Sequence, residues 1–259
     1  MTRLRWIRVV EVTLVGVIVV AAASWGVVTL AERAQTQRTT SRFDPPVWAG
    51  QNVPGACSGG FYARSGDTIV ITIVGHCGTP GTTLRGFEGR TIGVFGPLAK
   101  VDDCPASHLC FASDFLTLAL ASDRIPWGHL NMVDMGAGGY RTIDQDTRAL
   151  GCGDIAAGQH VEVDGREHYR AGTVLATSPY DTADDVNFPC MVVTDLPVAV
   201  GDSGGAVLVD GLPAGVISRN MDGHLGFTPM AEGLDNLGLV LCTTPDCDLS
   251  PERAVQPTP

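Results

Sequence analysis

Short runs of apolar residues, separated by turn-forming residues, recur along most of this chain. Beyond Cys57 the runs are Asp67–Val74, Thr91–Phe95, Phe115–Leu120, Gln159–Val163, Thr173–Thr177, Met191–Thr194, Ala206–Val209 and Ala214–Ser218. Glycine, proline, aspartate and asparagine fill the intervals between them. Runs of this length and spacing are typical of strands in antiparallel sandwiches and barrels. The pattern therefore predicts an all-β domain over residues 53–243, built from a pair of packed antiparallel β-barrels.

One segment near the C-terminus has helical spacing. Within Ala231–Leu241, the residues Leu234, Leu237 and Leu241 recur at intervals of three and four positions, which predicts a short closing helix. Residues 244–259 are rich in proline and are predicted to form a disordered tail, tied back only at Cys247.

The N-terminal segment, residues 1–30, has a different pattern. Arg3, Arg5 and Arg8 precede Val12–Leu30, which is nineteen residues long and carries no charge. At about 1.5 Å per residue a helix of this length spans roughly 29 Å, close to the thickness of the hydrocarbon core of a bilayer. The arginines before the run predict a single transmembrane anchor with the rest of the chain outside the cytoplasm.

A cleaved signal peptide is the alternative interpretation of this segment. The residues Ala21-Ala22-Ala23 offer a cleavage site of the A-x-A type. Under both interpretations the rest of the chain is exported, either anchored at the cell membrane or secreted. Residues 31–52 are polar, include Pro45-Pro46 and are predicted to be a linker.

The charge composition argues against a nucleic-acid partner. The 259 residues include 28 acidic side chains and 17 lysines and arginines, giving a net charge of −11. Lys100 is the single lysine, and no stripe of basic residues is present. A nucleic-acid-binding surface normally needs such a stripe.

Eight cysteines support the prediction of export. They are Cys57, Cys77, Cys104, Cys110, Cys152, Cys190, Cys242 and Cys247. An even number of cysteines outside the cytoplasm predicts four disulfides. Zinc is the competing use, but the chain has no C-x-x-C pair, so we expect neither a metal nor another cofactor.

The segment VAVGDSGGAVLV, residues 198–209, joins two apolar runs through Gly-Asp-Ser-Gly-Gly. Glycine, aspartate and serine all favour turns, so Ser203 by itself fits a hairpin. A serine hydroxyl becomes a useful nucleophile only when a base takes its proton and hydrogen-bond donors stabilise the oxyanion that follows. The alternative to a turn is therefore a nucleophile with a histidine and a carboxylate elsewhere in the chain.

His76 is the candidate base. It ends the strand-like run IVITIV within Gly75-His76-Cys77-Gly78, where a side chain can leave the core for a cleft. A strand-capping imidazole is the structural alternative. The remaining histidines lie in polar, turn-like surroundings and are His108, His129, His160, His168 and His224.

Asp114 is the candidate carboxylate. It opens the apolar run that follows Ser113, so it can be drawn inward with that run to meet an imidazole. The competitors Asp102, Asp103 and Asp123 lie in loop-like stretches with no apolar run to carry them inside.

The order His76, Asp114, Ser203, with Gly-His-Cys and Gly-Asp-Ser-Gly-Gly around the outer two, resembles the chymotrypsin-like (trypsin-like) serine proteases. The likeness extends to bacterial secreted members such as streptogrisin and alpha-lytic protease, which share the stretch Cys57–Phe61. It also includes the segments Ala214–Ser218 and Phe227-Thr228-Pro229. The resemblance covers about Gly50 to Leu241.

This resemblance implies the fold and the role of each site residue. It implies two six-stranded barrels with the cleft between them. Ser203 would attack the scissile carbonyl, His76 would accept and return its proton, and Asp114 would orient the imidazole. The backbone N–H groups of Gly201 and Ser203 would form the oxyanion hole.

The resemblance also implies the disulfides Cys57–Cys77 and Cys152–Cys190. With these two taken from the family, we expect Cys104–Cys110 and Cys242–Cys247 as the other pairs.

The sequence departs from the family pattern near the active site. Ile73-Val74 replaces the usual Thr-Ala before Gly-His-Cys, and such larger side chains can shift the histidine. Asp202 needs a buried cationic partner, because an unpaired buried carboxylate is costly, and we expect Arg148 or Arg170.

The predicted substrate pocket departs from the pattern as well. It comprises Pro197 and the segment Ser218-Arg219-Asn220. That segment stands where the family usually has Ser-Gly-Gly. Pro197 occupies the position where trypsin carries its aspartate, so cleavage after lysine or arginine is not expected.

The sequence thus predicts an exported serine endopeptidase that acts on polypeptides. The alternative is a protease-fold domain at the cell surface that binds peptides or a partner protein and cuts slowly or not at all. The substitutions at residues 73–74 and 219–220 motivate this alternative. The sequence gives no indication of oligomeric state.

Overall fold

The computed structural model of the chain describes residues 46–53, 57–86, 89–100, 109–166, 169–181, 186–243 and 247. These residues form sixteen strands and one α-helix. The strands of the N-terminal half are β1 (Asn52–Val53), β2 (Cys57–Ser58), β3 (Tyr62–Ser65), β4 (Thr68–Val74), β5 (Thr83–Arg85), β6 (Thr91–Lys100), β7 (Leu109–Leu120), β8 (Met132–Asp134) and β9 (Tyr140–Thr142). Those of the C-terminal half are β10 (His160–Val163), β11 (Arg170–Asp181), β12 (Val186–Pro197), β13 (Ala206–Val209), β14 (Leu212–Met221), β15 (His224–Pro229) and β16 (Val240–Leu241).

The C-terminal strands form a closed six-stranded barrel. Their order is β11-β10-β13-β14-β15-β12, and β12 pairs again with β11 to complete the ring. All of these pairs are antiparallel. The interior is filled by branched and aromatic side chains, among them Val161, Val163, Val192, Val207, Val209, Ile217 and Phe227. The predicted second barrel is therefore present.

Five strands of the N-terminal half, together with β16, form a six-stranded sheet in the order β16-β3-β4-β7-β6-β5. In the described part of the chain no backbone pairing joins β5 to β16, so the expected first barrel is not closed by a complete ring of hydrogen bonds. The two edge strands have only three and two residues, which leaves little backbone for a further ladder. The apolar face of the sheet nevertheless buries one core, including Phe61, Ile71, Ile73, Phe115 and Leu118.

Most observed strands extend beyond the apolar runs that predicted them. The run Thr173–Thr177 is the middle of the twelve-residue β11, and Met191–Thr194 is the middle of the twelve-residue β12. The outer parts of β12 alternate in burial, and the described outer residues of β11 are all partly or fully exposed, so a search for continuous apolar runs misses them. Near the tip of this long hairpin, Val186 pairs in parallel with Leu109 of β7, which links the barrel to the first sheet.

The closing helix is shorter than predicted. Helix α1 spans Met230–Leu237, whereas the spacing of leucines predicted Ala231–Leu241. Gly238 ends the helix in the left-handed conformation, and its N–H donates to the carbonyls of Leu234 and Asp235. The chain then continues as β16, where Leu241 pairs with Ala63.

The predicted anchor Val12–Leu30 and most of the predicted tail lie outside the described residues. No helix in the described ranges has the length and apolar character that a membrane span requires. The last residues of the predicted linker are packed against the domain. Val47 and Ala49 are buried, and the Tyr62 hydroxyl donates to the Val47 carbonyl.

Candidate active site

Ser203 lies in a tight loop between β12 and β13. Gly201 and Gly204, on either side of it, have φ values of +98° and +86°, in the left-handed region that favours glycine. A Cβ at Gly204 would also lie 2.2 Å from the Ser58 carbonyl oxygen. Both glycines are therefore required by the backbone, and the loop presents Ser203 at its turn.

His76 lies in a single 3-10 turn, Gly75–Cys77, directly after β4. Its Nε2 is 2.9 Å from the Ser203 Oγ, and its side chain is 48% exposed. Ile73 and Val74, the residues whose size was expected to affect the histidine, are buried in β4 opposite Leu116 and Phe115. The substitution is thus accommodated in the core while the imidazole remains in hydrogen-bond contact with the serine.

Asp114 is carried inward by β7, as the apolar run after it predicted. Its Oδ2 lies 3.7 Å from His76 Nδ1 and accepts a 2.6 Å hydrogen bond from the Ser218 hydroxyl. Its Oδ1 accepts from the Gly75 N–H at 3.1 Å. The His76–Asp114 separation is longer than a hydrogen bond.

The pKa of Asp114 reflects opposing effects. Burial of the carboxyl raises the pKa, but the side chains of His76 and Ser218 and the positive charge of Arg219 together outweigh burial. The pKa is therefore lowered from its ordinary value, so Asp114 is an anion at neutral pH. A buried anion behind an imidazole can hold that ring in one orientation and stabilise its protonated form.

Two backbone N–H groups beside the serine are available to a ligand. The N–H groups of Gly201 and Ser203 donate to no acceptor among the described residues. The loop that carries them is braced by Ser58, whose N–H donates to the Ser203 carbonyl at 2.8 Å. The Ser58 hydroxyl donates to the Gly201 carbonyl at 3.0 Å. These two contacts hold the serine loop through its carbonyl groups.

Asp202 is fully buried and pairs with Arg170. Arg170 Nη2 lies 2.6 Å from Asp202 Oδ2, and Nη1 donates to the Pro197 carbonyl at 2.8 Å. Arg148, the other cation considered from the sequence, instead forms a two-point pair with Asp154 at the surface. Of the two candidates, Arg170 is the partner of Asp202.

The four residues of the predicted substrate pocket have different surroundings. Ser218 is buried with its hydroxyl on Asp114, so it supports the carboxylate. The Pro197 carbonyl accepts a hydrogen bond from Arg170. Asn220 accepts the Gly223 N–H at 2.6 Å and shapes the turn between β14 and β15. Arg219 reaches Asp114, with Nη2 3.4 Å from Oδ2.

Two residues that support the site were not assigned a role from the sequence. Ser58 braces the serine loop, and Thr228 accepts the Asp114 N–H with its Oγ1 at 3.1 Å. Both lie in segments that carried the family resemblance, and that was the only available signal. Neither contact is local, because Ser58 and Ser203 are distant in sequence.

Three of the four expected disulfides are present in the described residues. They are Cys57–Cys77, Cys152–Cys190 and Cys242–Cys247. The expected pair Cys104–Cys110 lies outside the residues whose side chains are described. Such cross-links are typical of proteins in an oxidising compartment and fit an extracellular location.

The sulfur atoms beside His76 do not form a metal site. Cys57, Cys77 and His76 bring potential ligand atoms within 4.8 Å of one another, the one such group among the described residues. Both sulfurs are consumed by the disulfide, and metals bind the cysteine thiolate.

Asp164 is a second buried carboxyl near the serine loop. Gln51 Nε2 donates to its Oδ2 at 3.0 Å, and the neighbouring Gly165 lies against Asp202. Burial raises the pKa of Asp164 to about 7, and the charges of Asp134 and Asp202 act in the same direction. The Gly165 N–H and Arg170 oppose this shift only partly.

The raised pKa of Asp164 predicts that stability falls as pH rises. Between the ordinary value of 3.8 and about 7, the folded state binds a proton that the unfolded state has released. This group alone then lowers the free energy of unfolding by up to about 1.4 kcal/mol per pH unit across that window. We expect Asp164→Asn to be more stable than the unsubstituted chain at pH 8, with the difference shrinking towards pH 5.

Urea unfolding at pH 5, 6, 7 and 8 measures this difference. Asp67→Asn, at an exposed turn position, is the matched control and should show no pH-dependent difference. A constant offset between Asp164→Asn and the unsubstituted chain at all four pH values would contradict the assignment.

Neither a protein-family profile nor a curated protein sequence matches this chain. Solved structures do match it. A glutamic acid-specific serine protease that uses a histidine triad in substrate binding is 22% identical, with a TM-score of 0.58 over 76% of this chain and 100% of that one. Protease A of Thermobifida fusca is 23% identical, with a TM-score of 0.57 over 76% and 98%.

Nocardiopsis protease gives a similar result, with 21% identity and a TM-score of 0.57 over 76% of this chain and 99% of that one. At identities this low, the structural likeness establishes the fold alone. The chain has the chymotrypsin-like fold of bacterial serine proteases, as the sequence resemblance predicted.

Proposed function

We propose that this chain is a serine endopeptidase that hydrolyses polypeptides outside the cytoplasm through Ser203, His76 and Asp114. One observation carries the proposal: the Ser203 hydroxyl lies 2.9 Å from His76 Nε2. Behind that imidazole the buried Asp114 is kept ionised by its neighbours. A serine, a base and an orienting acid in this order are what nucleophilic catalysis at a carbonyl requires.

The reaction would proceed in two stages. Ser203 Oγ attacks the scissile carbonyl carbon while His76 Nε2 accepts the hydroxyl proton, and the N–H groups of Gly201 and Ser203 stabilise the oxyanion. His76 then donates its proton to the leaving amine, which breaks the peptide bond and leaves an ester on Ser203. In the second stage water attacks the ester carbonyl while His76 accepts its proton. His76 then returns that proton to Ser203 Oγ as the acyl–oxygen bond breaks, and the acid product leaves.

The alternative function, peptide binding with slow or no cleavage, is favoured by one distance. His76 Nδ1 is 3.7 Å from Asp114 Oδ2, and that oxygen is shared with Ser218 and Arg219. A carboxylate engaged elsewhere would orient the imidazole less firmly. The two functions differ in the reactivity of Ser203, which can be measured directly.

A fluorophosphonate probe distinguishes them, because it reacts only with an activated serine. We expect the unsubstituted protein to be labelled, and Ser203→Ala and His76→Ala to remain unlabelled. Ser65→Ala and His160→Ala, at exposed positions, are matched controls and should be labelled as the unsubstituted protein is. Equal labelling of the unsubstituted protein and Ser203→Ala would refute the proposal, and absence of labelling in folded protein would favour the binding function.

A further inference from the structure

Arg219 places a positive charge at the candidate active site. Its contacts with the protein do not use all of its hydrogen-bond donors. Its Nη2 lies 3.4 Å from Asp114 Oδ2, and its Nε lies 3.4 Å from the Ser218 hydroxyl. Both distances exceed the 2.7–3.2 Å of ordinary N–H···O bonds. A guanidinium has five N–H donors, and Nη1 of Arg219 donates to none of the described residues. The side chain is 26% exposed, so the remaining donors can meet a ligand.

Two aromatic rings fix the position of this guanidinium. Its Cζ lies 4.6 Å from the centre of the Phe188 ring and 5.5 Å from that of Tyr180. Phe188 and Tyr180 face each other across the β11–β12 hairpin. Stacking on rings occupies the face of the planar cation and leaves its edge for a carboxylate, which it binds through two parallel hydrogen bonds.

Arg166 places a second cation next to the serine loop. It is exposed, in the connection between β10 and β11. Its side chain lies directly over Gly201, where a Cβ would be 2.4 Å from Arg166 Cδ and 3.3 Å from Nη1. No described residue accepts a hydrogen bond from its guanidinium. Arg166 therefore lies beside Gly201, two positions before Ser203, and Arg219 lies beside Asp114.

Arg219 and Arg166 are positive charges beside the candidate site of a chain whose net charge is −11. We propose that the cleft selects polypeptide segments with acidic side chains close to the scissile bond, and that Arg219, assisted by Arg166, recognises those carboxylates. The inference rests on the proposed function. Arg219 contacts Asp114, which faces the imidazole that contacts Ser203, so a carboxylate within a few residues of the cut can reach it, at roughly 3.3–3.6 Å of chain per residue.

Matched peptides test this inference through the selectivity of cleavage. Each peptide carries either Glu or Gln at one of three positions before or two positions after the scissile bond in an otherwise neutral sequence. At one or more positions we expect kcat/KM for the Glu peptide to exceed that for the Gln peptide by about fivefold or more at low salt. The ratio should fall as NaCl is raised, because salt screens exposed charges.

Substitutions assign the preference to the two arginines. Arg219→Gln should bring the ratio to about one at the preferred position, whereas Arg219→Lys should retain part of the preference because it keeps the charge. Arg166→Gln should lower the ratio at a different position. Arg64→Gln is the matched control, since Arg64 lies in β3 opposite Ile69, at the far end of β4 from His76. It should leave every ratio unchanged.

Binding to Ser203→Ala gives a readout that is independent of cleavage. We expect fluorescence anisotropy to show tighter binding of the Glu peptide than of the Gln peptide, with the difference lost in Ser203→Ala/Arg219→Gln. Ratios within twofold at all positions, or ratios equal in the unsubstituted and Arg219→Gln proteins, would overturn this inference. Fluorophosphonate labelling without such a preference would overturn the inference alone, whereas absence of labelling would instead contradict the proposed function.

Discussion

Asp114→Asn is expected to lower kcat for peptide hydrolysis by about 10⁴-fold while leaving the fold intact. Asparagine keeps the shape of the carboxyl group, and its oxygen, in the place of Oδ1, can still accept the Gly75 N–H. Its amide nitrogen, however, would donate to His76 Nδ1 and so place the imidazole proton on Nε2. An Nε2–H faces the Ser203 hydroxyl, 2.9 Å away, and cannot accept its proton.

Initial rates with a neutral peptide at saturating concentration measure this loss, and circular dichroism verifies the fold. Asp123→Asn is the matched control, because Asp123 is an exposed acid that the sequence also offered as a candidate. It should retain the activity of the unsubstituted protein. A loss below tenfold for Asp114→Asn, or an equal loss for Asp123→Asn, would exclude Asp114 from the proposed role.

Arg170→Met is expected to lower the free energy of unfolding by about 3–5 kcal/mol. Asp202 has no solvent exposure, and Arg170 supplies a 2.6 Å contact to its Oδ2. Methionine has a similar reach but no charge, so the substitution leaves a buried carboxylate without that cation. Because Asp202 lies between Gly201 and Ser203, we also expect kcat to fall as the two N–H groups of the loop lose their alignment.

Urea unfolding at constant pH measures the loss of stability, and Arg148→Met is the matched control. Arg148 pairs with Asp154 at the surface, where solvent screens such pairs and they contribute little to stability. The double variant Arg170→Met/Asp202→Asn should regain part of the stability, because the uncompensated charge is then removed. Equal destabilisation by Arg170→Met and Arg148→Met would show that the buried pair has no special role.

The candidate active site combines residues from the first sheet with residues from the barrel. The first sheet supplies His76 and Asp114 from β4 and β7, and the barrel supplies Ser203 and Ser218 from the strands and loop around β13 and β14. The disulfide Cys57–Cys77 joins the residue after His76 to the strand whose Ser58 braces the serine loop. The disulfide and the Ser58 hydrogen bonds thus connect the turn that carries His76 to the loop that carries Ser203.

The sequence by itself determined the all-β class, the serine loop and the three residues proposed for catalysis. These features are encoded locally, because apolar runs and turn residues each extend over only a few positions. The glycines around Ser203 are required by their own φ angles. The family resemblance added the fold, which the structural comparisons bear out, and disulfide pairs such as Cys57–Cys77 that the structure contains.

Only the tertiary structure decided which distant side chains meet. Asp202 pairs with Arg170 rather than with Arg148. Arg219, predicted to line the substrate pocket, contacts Asp114 and the rings of Tyr180 and Phe188. Among the described residues, a complete ring of strand pairings closes the barrel, whereas the first sheet ends in two short edge strands that do not pair with each other. A charged side chain takes whichever partner the folded backbone brings within a few ångströms, and separations such as the 105 residues between Asp114 and Arg219 leave no local trace in the sequence.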